Sequence, residues 1–328
     1  MALALHGNRS AAPAFQRTPA DEAAAPARAA SLRGSGWVPF IFMLPALAAI
    51  GAVSIYPVLD GAWLSLRNTS LATQDDAFVG WLNYAHLLGD GTFWNAWRHT
   101  LAFMALSTLL ETAIGLGMAL VLCEPFWGRG FVRAAMLVPW AIPTVVTSKM
   151  FGWLFDGQNG IVNWVLTNSG LIHDKIDWYG SVDYAFFTIV IADVWKTAPF
   201  MALLLIAGLQ TIPGSLIEAA RIDGANVWQT FWHVRLPMLL PTMLIAGLFR
   251  ALDSFRIFDL VYVLTGGGPA DSTETLSTLT YKILFSTLQF GYGSTLSMAM
   301  FATEALIALG FGIFIVRRAR RDNSWGRA

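Results

Sequence analysis

Long apolar stretches alternate with short polar ones along most of the chain. Six of them run to spanning length, at roughly residues 38–59, 100–122, 132–155, 185–209, 238–264 and 293–316. A helix needs about 20 apolar residues to cross the hydrocarbon core of a bilayer, so the pattern predicts six membrane-spanning helices in an all-α integral membrane protein. Pro139 and Pro143 fall inside the third stretch and Pro199 inside the fourth. Such prolines free backbone groups that neighbouring helices must satisfy, which predicts kinked helices packed as a bundle rather than lone anchors. Residues 1–36 differ: rich in Ala, Pro and Arg, they read as a flexible tail. The first apolar run begins only at Val38 and is too long for the core of a signal peptide. The expected organisation is thus a tail (1–36), a six-span domain (37–316) and a basic tail (317–328).

Composition sharpens this reading. Of 328 residues, 55% are hydrophobic and 13% charged, with a mean hydropathy of +0.55. Soluble domains carry about a quarter charged residues, so a cytosolic enzyme is excluded. Lys/Arg and Asp/Glu number 21 each, giving no basic bias towards nucleic acid. The lone Cys123 excludes an internal disulfide and a cysteine-rich metal site, and the five histidines have no metal-site spacing. With both termini placed in the cytoplasm, the inside segments hold 13 Lys/Arg and the outside loops only 4, against 10 Asp/Glu. That asymmetry sets the orientation, and Arg317, Arg318, Arg320 and Arg321 anchor the last span on the inner side. An outer loop at 78–98 carries Phe78, Trp81, Tyr84, Phe93, Trp94 and Trp97. It reads as a segment lying at the membrane boundary, with docking of a soluble partner as the alternative.

The inner loop between the fourth and fifth spans is the most informative. It reads Glu218-Ala219-Ala220-Arg221-Ile222-Asp223-Gly224, then Val234-Arg235-Leu236-Pro237. Ser215 and Glu218 have capping-box spacing. Ala219 and Ala220 allow a close-packed surface, and Gly224 is suited to end the helix. A second short segment is expected from Trp228 to Val234, broken by Leu236-Pro237. The glycines at 266–268 are followed by Pro269 and no Lys-Ser/Thr, so they predict a turn and not a phosphate cradle.

The loop spacing resembles the EAA loop of binding-protein-dependent ABC importer permeases. Gly224 follows Ala220 after three residues, Val234 stands nine residues on in place of Ile, and Leu236-Pro237 closes the match. Phe78-Val79-Gly80-Trp81-Leu82-Asn83-Tyr84 and Thr265-Gly266-Gly267-Gly268-Pro269 resemble further segments of the carbohydrate-importing branch. Residues 193–200 and 250–259 are most similar to trehalose- and maltose-type permeases. The resemblance implies a type I ABC importer permease fold and a chain without bond chemistry or cofactor of its own. It implies the bacterial inner membrane, a second homologous permease, an extracytoplasmic sugar-binding protein and an ATPase dimer that binds ATP and Mg. It further implies that loop 210–237 couples to that ATPase through Glu218, Ala219, Ala220, Asp223, Gly224, Leu236 and Pro237.

Ionisable residues inside a membrane are costly and are usually paired or wetted. Here they include Glu111, Lys149, Asp193, Lys196, Arg250, Asp253, Arg256, Asp259 and Glu304. Arg250, Asp253, Ser254 and Ile257 share one helical face, and Arg250 can pair with Asp253. Arg256 and Asp259 have the spacing of a second pair. Such a stripe suits either a water-filled sugar path or ties between helices, and for Glu111 and Glu304 interior hydrogen bonding is expected. Trp140, Trp195 and Phe200 can supply an aromatic face for a sugar ring. The resemblance implies a substrate path formed by Lys196, Thr197, Phe200, Arg250, Asp253, Ser254 and Ile257. Two alternatives stay open: a permease for glycerol-phosphate or another sugar-type solute, and an ion-coupled secondary transporter. The second leaves the loop spacing unexplained and lacks the internal repeat such carriers often show.

Overall fold

The computed structural model describes residues 38–325, so the expected tail at 1–36 lies outside the described residues. The chain divides into two units, one ending at Leu59 and one starting at Asp60. In the first, α1 (Val38–Ile50) passes through a π-helical turn (Gly51–Ile55) into the start of α2 (Tyr56–Leu64), within which the boundary falls. Its apolar residues run round the helix with no polar face, as a membrane helix requires. Pro57 follows the wide turn. A proline ring clashes with the carbonyl four residues back, here that of Val53 inside the π turn, and the widened turn gives it room.

In the second unit the end of α2 is followed by a hairpin, β1 (Arg67–Ser70) against β2 (Asp75–Phe78), with Arg67 opposite Phe78. The Arg67 guanidinium donates to both carboxylate oxygens of Asp76, at 2.8 and 2.7 Å. With the Thr69 hydroxyl, it holds the Asp76 carboxyl below the usual carboxylate range. After α3 (Leu82–Gly89) comes α4 (Gly91–Cys123), which starts nine residues before the expected 100. Asp90 caps it, its carboxylate accepting from Thr92 N–H at 2.8 Å. The third expected span is α5 (Arg129–Met136) and α6 (Val138–Ala141) followed by α7 (Thr144–Leu154). It bends by 90° before Thr144; Pro143 cannot supply the N–H that would continue the helix. A short α8 (Ile161–Asn168) leads to α9 (Val182–Leu209), which runs unbroken through Pro199.

Then follow α10 (Gly214–Ile222), α11 (Val227–Thr230), a π turn (Phe231–Arg235) and α12 (Leu236–Phe255). The expected break at Leu236-Pro237 is absent. Val227–Phe255 is one continuous span, because the carbonyl that Pro237 would strike, that of His233, belongs to the π turn. The fifth span stops at Phe255 instead of 264. Arg256–Phe258 is irregular, and α13 (Asp259–Leu264) restarts separately. After α14 (Leu276–Tyr281), α15 (Phe290–Trp325) continues past 316 through the arginine cluster. Among the described residues five helices are long and apolar enough to cross a membrane, and the bent pair taken as one span gives six.

Among the described residues the most extensively packed helix pair is α4 against α9, with α12 packed on both. Small residues permit it. A Cβ on Gly115 would stand 2.9 Å from Met201 Cγ, and one on Gly208 would stand 2.7 Å from Thr242 Cγ2. Two apolar clusters lie along this seam. Phe103, Phe151, Ile189 and Leu260 form one; Ala119, Met201, Leu205 and Leu239 form the other. Between Phe103 and Ala119 on α4 sit Ser107 and Glu111, both fully buried.

Candidate functional site

Polar residues at helical spacing meet where α4, α9 and α12 converge. Ser107 and Glu111 are one turn apart on α4, as are Asp193 and Thr197 on α9 and Arg250 and Ser254 on α12. Arg250 is buried and grips Glu111 with two nitrogens: Nε donates to Oε2, and Nη2 donates to Oε1 at 2.6 Å. Nη2 also donates to Ser254 Oγ at 2.9 Å, while Nη1 donates to Asp253 Oδ2. Asp193 Oδ2 lies farther from Nη2, at 3.3 Å. Ser107 Oγ bridges the two acids, 2.7 Å from Glu111 Oε1 and 2.5 Å from Asp193 Oδ2. A cation taken out of water needs this density of partners, since an unpaired buried charge costs several kcal/mol.

Asp253 is the exposed member, with 67% of its side chain accessible against 4% for Arg250. It faces a cavity of about 320 Å³, on whose wall Lys196, Thr197, Arg250, Asp253, Ser254 and Ile257 meet. Six of the seven residues singled out for the path therefore share one cavity. Phe200 is not on its wall; it stacks on Trp140, which is, with ring centroids 5.0 Å apart and planes 10° from parallel. Lys196 reaches the Trp140 carbonyl at 3.4 Å. Thr197 Oγ1 sits 2.7 Å from Glu111 Oε1 and 2.6 Å from its own helix carbonyl at Asp193. The cavity offers two exposed carboxylates, Asp253 and Asp259, the Lys196 ammonium, the exposed Arg256 guanidinium and an indole face, a set that can hold a polyol by hydrogen bonds and ring stacking.

Some expectations need correction. Arg256 does not pair with Asp259. It reaches Glu304 on α15 at 3.3 Å, because the helix unwinds at 256–258 and the i,i+3 face no longer exists. Ile257 likewise sits on irregular backbone, where its N–H donates to the Ser254 carbonyl at 3.2 Å. The sequence marks Glu111 as an interior group and Asp193 as an intramembrane acid without an assigned role, and Ser107 was missed. The signal was present in Ser107/Glu111 and Asp193/Thr197, polar pairs four apart in otherwise apolar helices.

The 210–237 loop is a second site. Glu218 and Ala219 are exposed on α10, and Ala220 is half-buried. The Ser215–Glu218 capping box does not form: α10 starts at Gly214 after Pro213, so Ser215 is already inside the helix. The box lies instead at Asn226 and Gln229 on α11. Gly224 ends α10 at φ +80°, with Gly224 N–H donating to Arg221 O at 3.1 Å and Ala225 N–H to Ala220 O at 2.9 Å. These two bonds make a Schellman cap. Asp223 occupies the C-cap, and Leu236 and Pro237 begin α12. Ile222 on α10 and Val227 and Trp228 on α11 leave large apolar side chains exposed in the same loop. Arg235 donates to Glu124 at 3.0 Å, tying the loop to the end of α4.

Comparison with known proteins agrees with this geometry. Residues 111–320 match the family described as binding-protein-dependent transport system inner membrane component. The trehalose/maltose transport system permease protein MalF of Thermococcus litoralis is 40% identical over 285 residues, covering 86% of this chain and 94% of that protein. The trehalose transport system permease protein SugA of Mycobacterium tuberculosis is 42% identical over 276 residues, covering 83% and 86%. A chain from the crystal structure of a bacterial ABC transporter that imports the acidic polysaccharide alginate has the same fold. Its TM-score is 0.74 at 20% identity, over 86% of this chain and 96% of that one. The helices, the bent third crossing and the loop between α9 and α12 thus belong to a permease subunit of the binding-protein-dependent ABC importer family, with the type I importer fold.

Proposed function

We propose that this chain is one of two homologous permease subunits of an ATP-driven importer for a disaccharide of the trehalose or maltose kind. The reading is carried by identities of 40% and 42% to permeases named for trehalose, over more than four-fifths of the chain. The cavity chemistry supports it: Asp253 accepts from sugar hydroxyls, Lys196 donates, and the Trp140 ring, backed by Phe200, offers an apolar face. The chain sits in the bacterial inner membrane with both termini in the cytoplasm. A soluble binding protein delivers the sugar to the outer face.

Partner ATPase subunits bind ATP and Mg, and the chain itself holds no cofactor. Their closure moves α10 through Glu218, Ala219 and Ala220, with Gly224 and Asp223 fixing the turn and Leu236-Pro237 passing the motion into α12. The exposed Ile222, Val227 and Trp228 of this loop suit burial in a protein cleft. The path between the two permeases then alternates between inward- and outward-facing, and hydrolysis resets it. A second reading is a sugar-type anion such as glycerol-phosphate. It is favoured by Lys196, which forms no salt bridge among the described residues.

The test is to purify the tagged chain with the products of its neighbouring genes and assay ATPase activity with loaded binding protein. Stimulation by trehalose- or maltose-loaded protein is the expected result. Stimulation by a phosphorylated solute instead selects the second reading. A chain that purifies alone, without any ATPase, overturns both in favour of an ion-coupled carrier.

A further inference from the structure

Three carboxyl groups surround one guanidinium at the α4–α9–α12 junction, and their hydrogens can be counted. Arg250 Nη2 has two hydrogens and donates to three acceptors, Glu111 Oε1 at 2.6 Å, Ser254 Oγ at 2.9 Å and Asp193 Oδ2 at 3.3 Å, so one hydrogen is shared. Nε donates to Glu111 and Nη1 to Asp253. Asp193, only 7% exposed, takes the longest of the three and no guanidinium hydrogen to itself. Its one short side-chain partner is the Ser107 hydroxyl, at 2.5 Å. That hydroxyl also lies 2.7 Å from Glu111 Oε1. It has a single hydrogen, and a hydroxyl needs one for each acceptor it faces. With both acids ionised, one of the two contacts is lone pair against lone pair, flanked by two like charges of which Glu111 is fully buried and Asp193 nearly so.

One further proton removes the conflict. Glu111 is a poor holder for it, since both its oxygens accept from the guanidinium. We infer that Asp193 carries a proton and serves as a neutral positioning residue, donating through Oδ2 to Ser107, which donates to Glu111 and so fixes the carboxylate that orients Arg250 and Asp253. The relay joins α9 to α4 to α12. Asp193 forms no ion pair other than its long one to Arg250 among the described residues. Other charges on the packed elements are directed elsewhere: Lys196 to the Trp140 carbonyl and Arg256 to Glu304, while Asp259 lies beyond the helix break. The junction then holds one surplus negative charge, on Asp253, its exposed member. The assignment holds whichever solute is carried.

Infrared spectroscopy tests it without substrate. The full chain, purified from membranes with its partner subunits and returned to lipid, is measured at neutral pH as wild type, Asp193→Asn and Asp253→Asn. The expected result is a protonated-carboxyl carbonyl band in wild type that persists in Asp253→Asn and is lost in Asp193→Asn. Absence of that band from wild type, or a band unchanged in Asp193→Asn, overturns the assignment. Thermal melting gives a second readout. An amide in place of a neutral acid keeps a donor, so Asp193→Asn should melt within about 3 °C of wild type. Glu111→Gln removes a true carboxylate and should melt lower by roughly 10 °C or more. Equal losses in the two variants contradict a neutral Asp193.

Discussion

Arg250 and Glu111 lie 139 positions apart in the chain, and their side chains form a two-point ion pair with 4% and 0% exposure. The pair fastens α12 to α4 at the level where the cavity opens. Its outer edge is Asp253, held by the same guanidinium yet facing the cavity. One cation thus serves two purposes: it closes the helix seam behind the wall and sets the position of the wall's own carboxylate.

Arg250→Ala leaves Glu111 buried without its cation. Breaking one side of a buried pair typically costs about 3–5 kcal/mol, and that is the expected loss. Arg250→Lys should recover only part of it, because an ammonium cannot span two Glu111 oxygens and Asp253 as the planar fork does. Thermal unfolding of the detergent-solubilised complex ranks the variants. An Arg250→Ala protein that melts with wild type would show the clamp to contribute no net stability.

Asp253→Ala should impair uptake and leave basal ATPase activity intact, since the carboxylate is exposed on the cavity wall and not packed in the seam. Loss of one hydrogen-bonding partner for a hydroxylated solute corresponds to about 1–3 kcal/mol, or roughly ten- to a hundredfold in apparent affinity. Uptake measured over a range of solute concentrations separates a weakened affinity from a lowered maximal rate. An unchanged uptake curve would make Asp253 solely a structural partner of Arg250.

Much of this was legible in the sequence. The apolar runs locate the crossings, the one-face spacing of Arg250, Asp253 and Ser254 puts them on one wall, and Gly224 marks the end of α10. What was not legible depends on neighbours distant in the chain. Arg256 chooses Glu304 over Asp259 only because the helix unwinds at 256–258, a stretch with no glycine or proline to announce it. Prolines carried ambiguous information. Pro143 accompanies a 90° bend, Pro199 sits inside an unbroken helix, and Pro237 is absorbed by a π turn. A missing N–H says where a helix is weak, while packing decides whether it bends. Ser215 had the letters of a cap, but with Pro213 at the N-cap the helix starts two residues too early for it.

Gly115 offers a test of the seam by itself. It lies one turn beyond Glu111 on α4, and an added Cβ would meet Met201 Cβ at 3.0 Å and the Ala202 backbone nitrogen at 3.0 Å. Met201 is fully buried and has little space to retreat. Overpacking of this sort costs about 1–3 kcal/mol. Gly115→Ala should therefore lower the melting temperature while leaving the protein folded, and Gly115→Leu should reduce the yield of assembled complex. Gly117, two residues on, has no atom near its added Cβ, so Gly117→Ala is the matched control. Equal melting of the two alanine variants would mean that α4 and α9 can separate without penalty.

The coupling loop can be separated into a contact and a hinge. Glu218 is exposed and makes no salt bridge among the described residues, so reversing its charge should leave the fold of this chain intact. Glu218→Lys is expected to abolish uptake while the subunits still copurify, with ATPase activity no longer stimulated by loaded binding protein. Gly224 differs, because its φ of +80° is costly for any side chain. Gly224→Ala should lose about 1–2 kcal/mol at the turn and misplace α10 relative to α11. Open space around an added Cβ means that the penalty is conformational and not steric. Gly224→Asn should accordingly recover function better than Gly224→Val, since asparagine tolerates the left-handed region and a β-branched residue does not. Copurification and stimulated ATPase activity, measured side by side on all four variants, tell the roles apart. Wild-type stimulation in Glu218→Lys would remove the contact assignment, and equal activity of the Asn and Val variants would remove the hinge.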